Sequence, residues 1–250
     1  MLTNIKAERV MNEYRINDLS IKENLLFLAE QGNKTFSVSL NPGVENVLGI
    51  RVPQLRALAH RIANDNWRKY LDSVDEYYME ERMLHGMVIA YIKGISLEER
   101  LRLLRDFIPL INSWSVCDSV VTSFKFRLNE KEEVWRFICQ YLSSDEEYKL
   151  RFAIVMMLSK YVDDEHIFRL LEIFEQIHHE GYYVKMAIAW AVSFCMAKYP
   201  DLTYDFLKKG SLDDFTHNKS IQKCIESYRV NDLDKKRLRL LKRLRTIHSK

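Results

Sequence analysis

The chain has 250 residues, a formal net charge of +3 and 47% hydrophobic residues, with only seven Gly and four Pro. So few turn-formers argue against a sheet-and-turn architecture and for long helices with short connections. Cys117, Cys139, Cys195 and Cys224 show no metal-ligand spacing and stand in apolar or helical contexts, which excludes a disulfide scaffold and reads as reduced thiols in an intracellular protein.

No apolar signal core opens the chain, because Lys6, Glu8, Arg9, Glu13 and Arg15 interrupt it. The longest uncharged run, Met186 to Ala197, falls short of the roughly 20 residues that span a bilayer, so no membrane partner is expected. The charge is uneven. Lys235 to Lys250 holds eight Lys and Arg and no acid, leaving 30 basic against 35 acidic residues elsewhere. A basic tail on a mildly acidic body suits a polyanion partner or a solvated helix end. Leu238, Leu240, Leu241 and Leu244 run through it at near-helical spacing, which predicts a docked amphipathic helix over about 233–250.

In chain order, Thr3 to Gln31 reads as two short helices broken near Asn17-Asp18, with Leu25, Leu26 and Leu28 on the apolar face of the second. Gly32 to Val52 reads as one long irregular stretch, a length that is often functional. Pro53 then suits the first turn of a helix continuing over Gln54–Ala63. Helical periodicity follows in Tyr77–Ile92, Leu97–Ile108, Val116–Phe126, Lys131–Leu142 and Glu146–Tyr161. It continues in Glu165–Ile177, Tyr182–Tyr199, Asp201–Lys208, Asn218–Tyr228 and Asp234–Leu244. Ser96 to Glu99 and Ser143 to Glu146 look like capping boxes. No alternating Val/Ile/Thr run competes for a strand. Helix pairs recurring at roughly 35–45 residues predict an all-α fold, a HEAT-like helical-repeat solenoid of antiparallel pairs in one domain over 1–250. A compact irregular bundle is the alternative.

There is no Gly-rich phosphate loop, HExxH or CxxC motif, and the lone pair His178-His179 at a helix end does not make a metal set. The informative stretch is Asn112 to Asp118. A helix there puts Trp114 and Asp118 on one face, about one turn apart. The plain reading is a capping or surface Asp beside a core Trp; the functional reading is a ligand-binding or catalytic carboxylate framed by an indole. Three other places join it. Arg151 opens the apolar run Phe152–Leu158, where an Arg snorkels or pairs with an anion. Trp190 has small Ala neighbours, and plain core packing explains it equally well. Asp214 to Lys219 is a polar cluster at a helix start, where amides hold a phosphate or Thr216 and Asn218 cap the helix.

Four motifs occur in order: Trp114-x-x-x-Asp118, Leu150-Arg151-Phe152-Ala153-Ile154, Lys185 to Trp190, and Asn218-Lys219-x-Ile221-Gln222. The set resembles the AlkD-like DNA alkylation-repair glycosylases, which are HEAT-like all-helical proteins, over roughly Leu48 to Val230. The Gly32–Val52 stretch departs from the family pattern and marks a divergent branch. The resemblance implies that Asp118 is catalytic and that Trp114 and Trp190 flank the lesion nucleotide. It further implies that Arg151, with Lys185, Asn218 and Lys219, binds the DNA backbone. The implied activity is hydrolysis of the N-glycosidic bond of positively charged N3- or N7-alkylated purines in duplex DNA. The protein would act as a cytoplasmic, nucleoid-associated monomer without metal or cofactor. A catalytically inactive helical-repeat module that binds nucleic acid or a protein is the alternative. A hydrolase of another small substrate has only the Asp and Arg in its favour. The implied chemistry is coherent. A cationic alkylpurine already leaves well, so what remains is to stabilise an oxocarbenium-like sugar and place a water, which one carboxylate can do. Electron-rich indole faces attract the cationic base, and an Arg that holds a phosphate also favours the ionised carboxylate.

Overall fold

The computed structural model describes residues 14–243. Its described residues form fourteen α-helices and one two-stranded hairpin, so the chain is all-α as its composition demands. Contacts gather into two compact units that divide between Val134 and Trp135. No helix among the described residues is long and apolar enough to cross a membrane.

The first unit opens with β1 (Arg15–Ile16) and β2 (Leu19–Ser20), paired antiparallel. The break expected at Asn17-Asp18 is therefore a hairpin turn rather than a gap between helices. Both residues have positive φ, 51° and 62°, the left-handed conformation that Asn and Asp tolerate and that matches the twist of a two-residue hairpin loop. Residues 3–13 of the expected first helix lie outside the described residues. α1 (Ile21–Ala29) starts at a full capping box: Ser20 Oγ accepts from Glu23 N, and the Glu23 carboxylate accepts from Ser20 N. The stretch expected to be irregular contains α2 (Lys34–Leu40), capped by Asn33.

α3 (Val52–Ala63) carries Pro53 in its first turn. α4 (Trp67–Ser73), absent from the periodicity reading, buries only Tyr70. α5 (Met79–Tyr91), α6 (Leu97–Phe107) and α7 (Trp114–Val121) complete the unit. α3 packs on α5 and α5 on α7, so alternate helices lie side by side, the arrangement of a helical repeat. Gly86 makes the α5–α7 approach possible. A Cβ there would sit 2.5 Å from a Val120 methyl and 2.7 Å from the Phe107 ring. Leu55, Ile62, Leu84, Met87, Phe107 and Phe124 fill the core, each contributing about 1.5–3 kcal/mol of burial.

α8 (Lys131–Cys139) carries the division between units. The second unit continues with α9 (Glu147–Lys160), α10 (Ile167–Gln176), α11 (Tyr182–Lys198), α12 (Pro200–Lys209), α13 (Asp214–Glu226) and α14 (Asp232–Arg239). α11 packs on α9, α10, α12 and α13. That explains its sequence: a helix enclosed on several sides is apolar all round rather than striped. The reading of Ser143–Glu146 as a capping box is corrected: Ser144 Oγ accepts from Glu146 N, and α9 starts after Glu146 with no side-chain cap. At Ser96 the forward half of the expected box forms, with Ser96 Oγ accepting from Glu99 N. The basic C-terminal helix is shorter than expected. It ends at Arg239, Leu238 is buried and Leu240 is exposed, while Leu244 lies outside the described residues.

Candidate functional site

In the first unit the chain enters α7 through a one-turn 3-10 helix at Ile108–Leu110. Ser113 then caps α7, its hydroxyl accepting from Val116 N at 3.2 Å. Val116, Cys117, Val120 and Val121 are buried, which leaves Trp114 and Asp118 half-buried at the margin of the packed face. The spacing expected from the sequence is thus realised, on one helix and one turn apart. Trp114 is not merely packed. Its Nε1–H donates to the carbonyl of Leu40, the last residue of α2, at 2.9 Å.

The C-terminal end of the same helix carries a residue that the sequence reading missed. Arg56 of α3 donates from Nη2 to Thr122 Oγ1 at 3.0 Å, and that hydroxyl donates to the carbonyl of Asp118 at 2.7 Å. A cation is favourable there because the last carbonyls of a helix carry partial negative charge. Arg56 Nε is buried without a hydrogen-bond partner among the described residues. The sequence signal was present but unremarkable, an Arg between Leu55 and Leu58 in an amphipathic helix.

The other expected site residues belong to the second unit. Arg151 of α9 is only 5% exposed, and its Nη1 donates to the Tyr183 carbonyl at 2.7 Å. One turn earlier, Glu147 accepts from Tyr183 N at 2.6 Å. Two charged side chains of α9 thus grip both main-chain groups of one residue and fix the first turn of α11. Lys185, in that first turn, pairs with Glu180 at 2.9 Å and lies 3.8 Å from Asp213. Trp190, further along α11, is half-buried and meets Phe194 edge-on with centroids 5.7 Å apart.

The cluster at the start of α13 resolves differently from either sequence reading. The cap is Asp213, whose carboxylate accepts from the amides of Phe215 and Thr216 and from the Thr216 hydroxyl. Burial opposes its charge, but these bonds and Lys185 outweigh that and hold the carboxyl below the usual range. The helix start is therefore already occupied by an anion of the chain itself. Asn218 is engaged too: its carboxamide donates to the Arg243 carbonyl at 3.0 Å and accepts from the Arg243 amide at 2.9 Å. Lys219 lies over the Phe215 ring at 5.6 Å. Lys185, Asp213 and Thr216 also line a small cleft with Glu175, His178 and His179. His179 spends both ring nitrogens locally, Nδ1 accepting from Gly181 N and Nε2 facing the Asp145 carbonyl.

The cysteines are reduced, with Cys117, Cys195 and Cys224 buried, and burial pushes the Cys195 and Cys224 thiols up to about 12. Cys195 and Cys224 are inert by that measure.

The chain matches the model of the DNA alkylation repair enzyme family over residues 21–229. No curated protein matches the chain significantly.

Proposed function

The chain belongs to the DNA alkylation repair enzyme family, and from that premise we propose that it is a DNA glycosylase that releases positively charged N3- or N7-alkylated purines from duplex DNA. The observation that carries this reading is the pair on α7: a half-buried carboxylate, Asp118, one turn from an indole, Trp114, whose orientation is fixed by hydrogen bonding. Alkylation at N3 or N7 makes the base cationic, so the glycosidic bond breaks without a strong general acid. The sugar develops oxocarbenium character. Asp118 stabilises that charge and orients the attacking water, the two tasks a carboxylate performs in glycoside hydrolysis. The face of Trp114 attracts the cationic nucleotide, an interaction of about 0.5–2 kcal/mol.

Backbone phosphates fall to Arg151, Lys185 and Lys219. Arg151 is held by the Tyr183 carbonyl, which supports a preorganised guanidinium rather than a mobile one. Lys185 exchanges its pairing with Glu180 for a phosphate at little cost, because that ion pair is exposed on the Glu side. Asn218 contributes through its hold on Arg243, which keeps a basic residue beside α13.

The experiment is single-turnover release of free N7-methylguanine or N3-methyladenine from an alkylated duplex by the purified chain. The reading expects release without added metal and a rate above spontaneous depurination. A folded chain that leaves every alkylated duplex at the spontaneous rate would overturn it in favour of a non-catalytic nucleic-acid or protein-binding module.

A further inference from the structure

The stretch from Gly32 to Val52, which lies inside the family match, supplies the carbonyl that orients Trp114. Packing does not hold that carbonyl in place. α2 buries none of its residues, and Phe36, Val38 and Leu40 are exposed. The hold comes from its two ends. At the start, Asn33 N donates to the Gly49 carbonyl at 2.9 Å. The two strands of chain run so close there that only glycine fits. A Cβ on Gly49, where φ is +85°, would lie 2.4 Å from Lys34 Cα, and one on Gly32 would lie 2.3 Å from the Gly49 carbonyl oxygen. At the other end Asn41 is buried, with Nδ2 on the Ser37 carbonyl, and Val44 N turns back onto the Asn41 carbonyl.

What fixes Gly49 is one carboxylate. Glu80 of α5 is 1% exposed and accepts three consecutive amides: Leu48 N at 2.9 Å, Gly49 N at 2.6 Å and Ile50 N at 3.3 Å. Successive amides converging on an anion form a nest. Here the anion belongs to the protein, on a helix packed directly against α7. The neighbouring Met79 N donates to the Asn46 carbonyl at 3.1 Å, a fourth tie between the start of α5 and the same segment.

We propose that Glu80 is a positioning residue for Trp114, acting through the amides of Leu48–Ile50, the Gly32–Gly49 crossing and the Leu40 carbonyl. The proposal rests on the reading that Trp114 flanks the lesion. A buried carboxylate is costly unless its charge is answered by donors, and the three amides that answer Glu80 all come from this segment. Removing the charge frees the segment, and with it the acceptor that sets the indole.

The test is a double-mutant cycle of Glu80→Gln and Trp114→Phe, read by kinetics and by the Trp114 indole N–H resonance, which Trp114→Phe identifies. Glu80→Gln should shift or broaden that resonance. It should also raise KM for alkylated duplex about tenfold with little change in kcat, the scale of one lost hydrogen bond. In the Trp114→Phe background the same change should add less than about twofold, because the N–H it positions is already gone. Equal penalties in both backgrounds, or an unmoved indole resonance in Glu80→Gln, overturn the proposal. If the wild type releases no alkylpurine, the glycosylase reading fails while the resonance still decides on Glu80. If Glu80→Gln does not fold, hydrogen exchange of the wild type decides. Leu48–Ile50 amides and the Trp114 N–H should open together, and an indole N–H that exchanges freely while those amides stay protected overturns the proposal.

Discussion

Two non-helical segments, residues 41–50 and 240–243, are both fastened by side chains that bond to main chain, yet they differ in what accompanies the bonds. The first is tied by Glu80 and also buries Val47, Leu48 and Ile50. The second is tied by His217 Nε2 on the Leu241 carbonyl at 2.8 Å and by the two-way pairing of Asn218 with Arg243. The Arg243 guanidinium adds bonds to the Gly210 and Leu212 carbonyls at 2.6 and 2.8 Å and to Asp214 at 2.7 Å. Leu240 beside it is 84% exposed. A polar tie with apolar burial becomes part of the core. A polar tie without it is a latch, whose whole strength is a few hydrogen bonds at about 1 kcal/mol net each.

The largest test of this contrast is Glu80→Ala. It strips three buried amides of a charged acceptor and should cost about 3 kcal/mol or more in denaturant unfolding of the whole chain. A loss below about 1 kcal/mol would make the first segment a latch as well. Asn218→Ala comes next. It removes two bonds to Arg243 and should cost about 2 kcal/mol, most of it as local release of the tail. Limited proteolysis after the tail's Lys and Arg should accelerate while the global unfolding midpoint moves less. A midpoint shift with no gain in tail cleavage would place the tail in the core.

The smallest effect is a pH dependence of the latch. Burial holds His217 below the usual imidazole value, the Leu241 carbonyl opposes that, and Arg243 and Asp214 act in opposite directions. Because the folded value is depressed, the unfolded chain binds the extra proton first. The contribution of His217 is therefore fully present above about pH 6.5 and is lost as pH falls through the folded value. Tail protection from proteolysis should decline as pH falls below about 6.5, and His217→Gln should flatten that decline. Protection that rises on acidification would contradict the assignment of a neutral His217.

The contrast also explains what the sequence reveals. Long periodic helices are legible because each buries an apolar face or, like α11, an apolar whole, and the Trp114–Asp118 spacing is legible because helical geometry fixes it. α2 escapes the reading because it buries nothing and so leaves no apolar period. α4 escapes because seven residues around a single buried Tyr70 make no pattern. The Leu-rich tail suggests apolar docking, but leucine spacing does not show that Asn218 and His217 bond the main chain some twenty-four positions away. Least legible is the support of Trp114. Its acceptor is a main-chain carbonyl 74 residues distant, and the Glu80 nest is built from amides, which every residue but proline carries.

The central claim is that Asp118 acts on the reacting sugar, and the most direct measurement is the single-turnover rate of alkylpurine release by Asp118→Asn beside the wild type. The change keeps size and removes charge. The account predicts a rate lower by about 10²–10³, the loss of one preorganised electrostatic group, with binding to undamaged duplex nearly unchanged and a melting temperature that is unchanged or higher. A wild type that releases alkylpurines, with an Asp118→Asn variant equally fast, would contradict it.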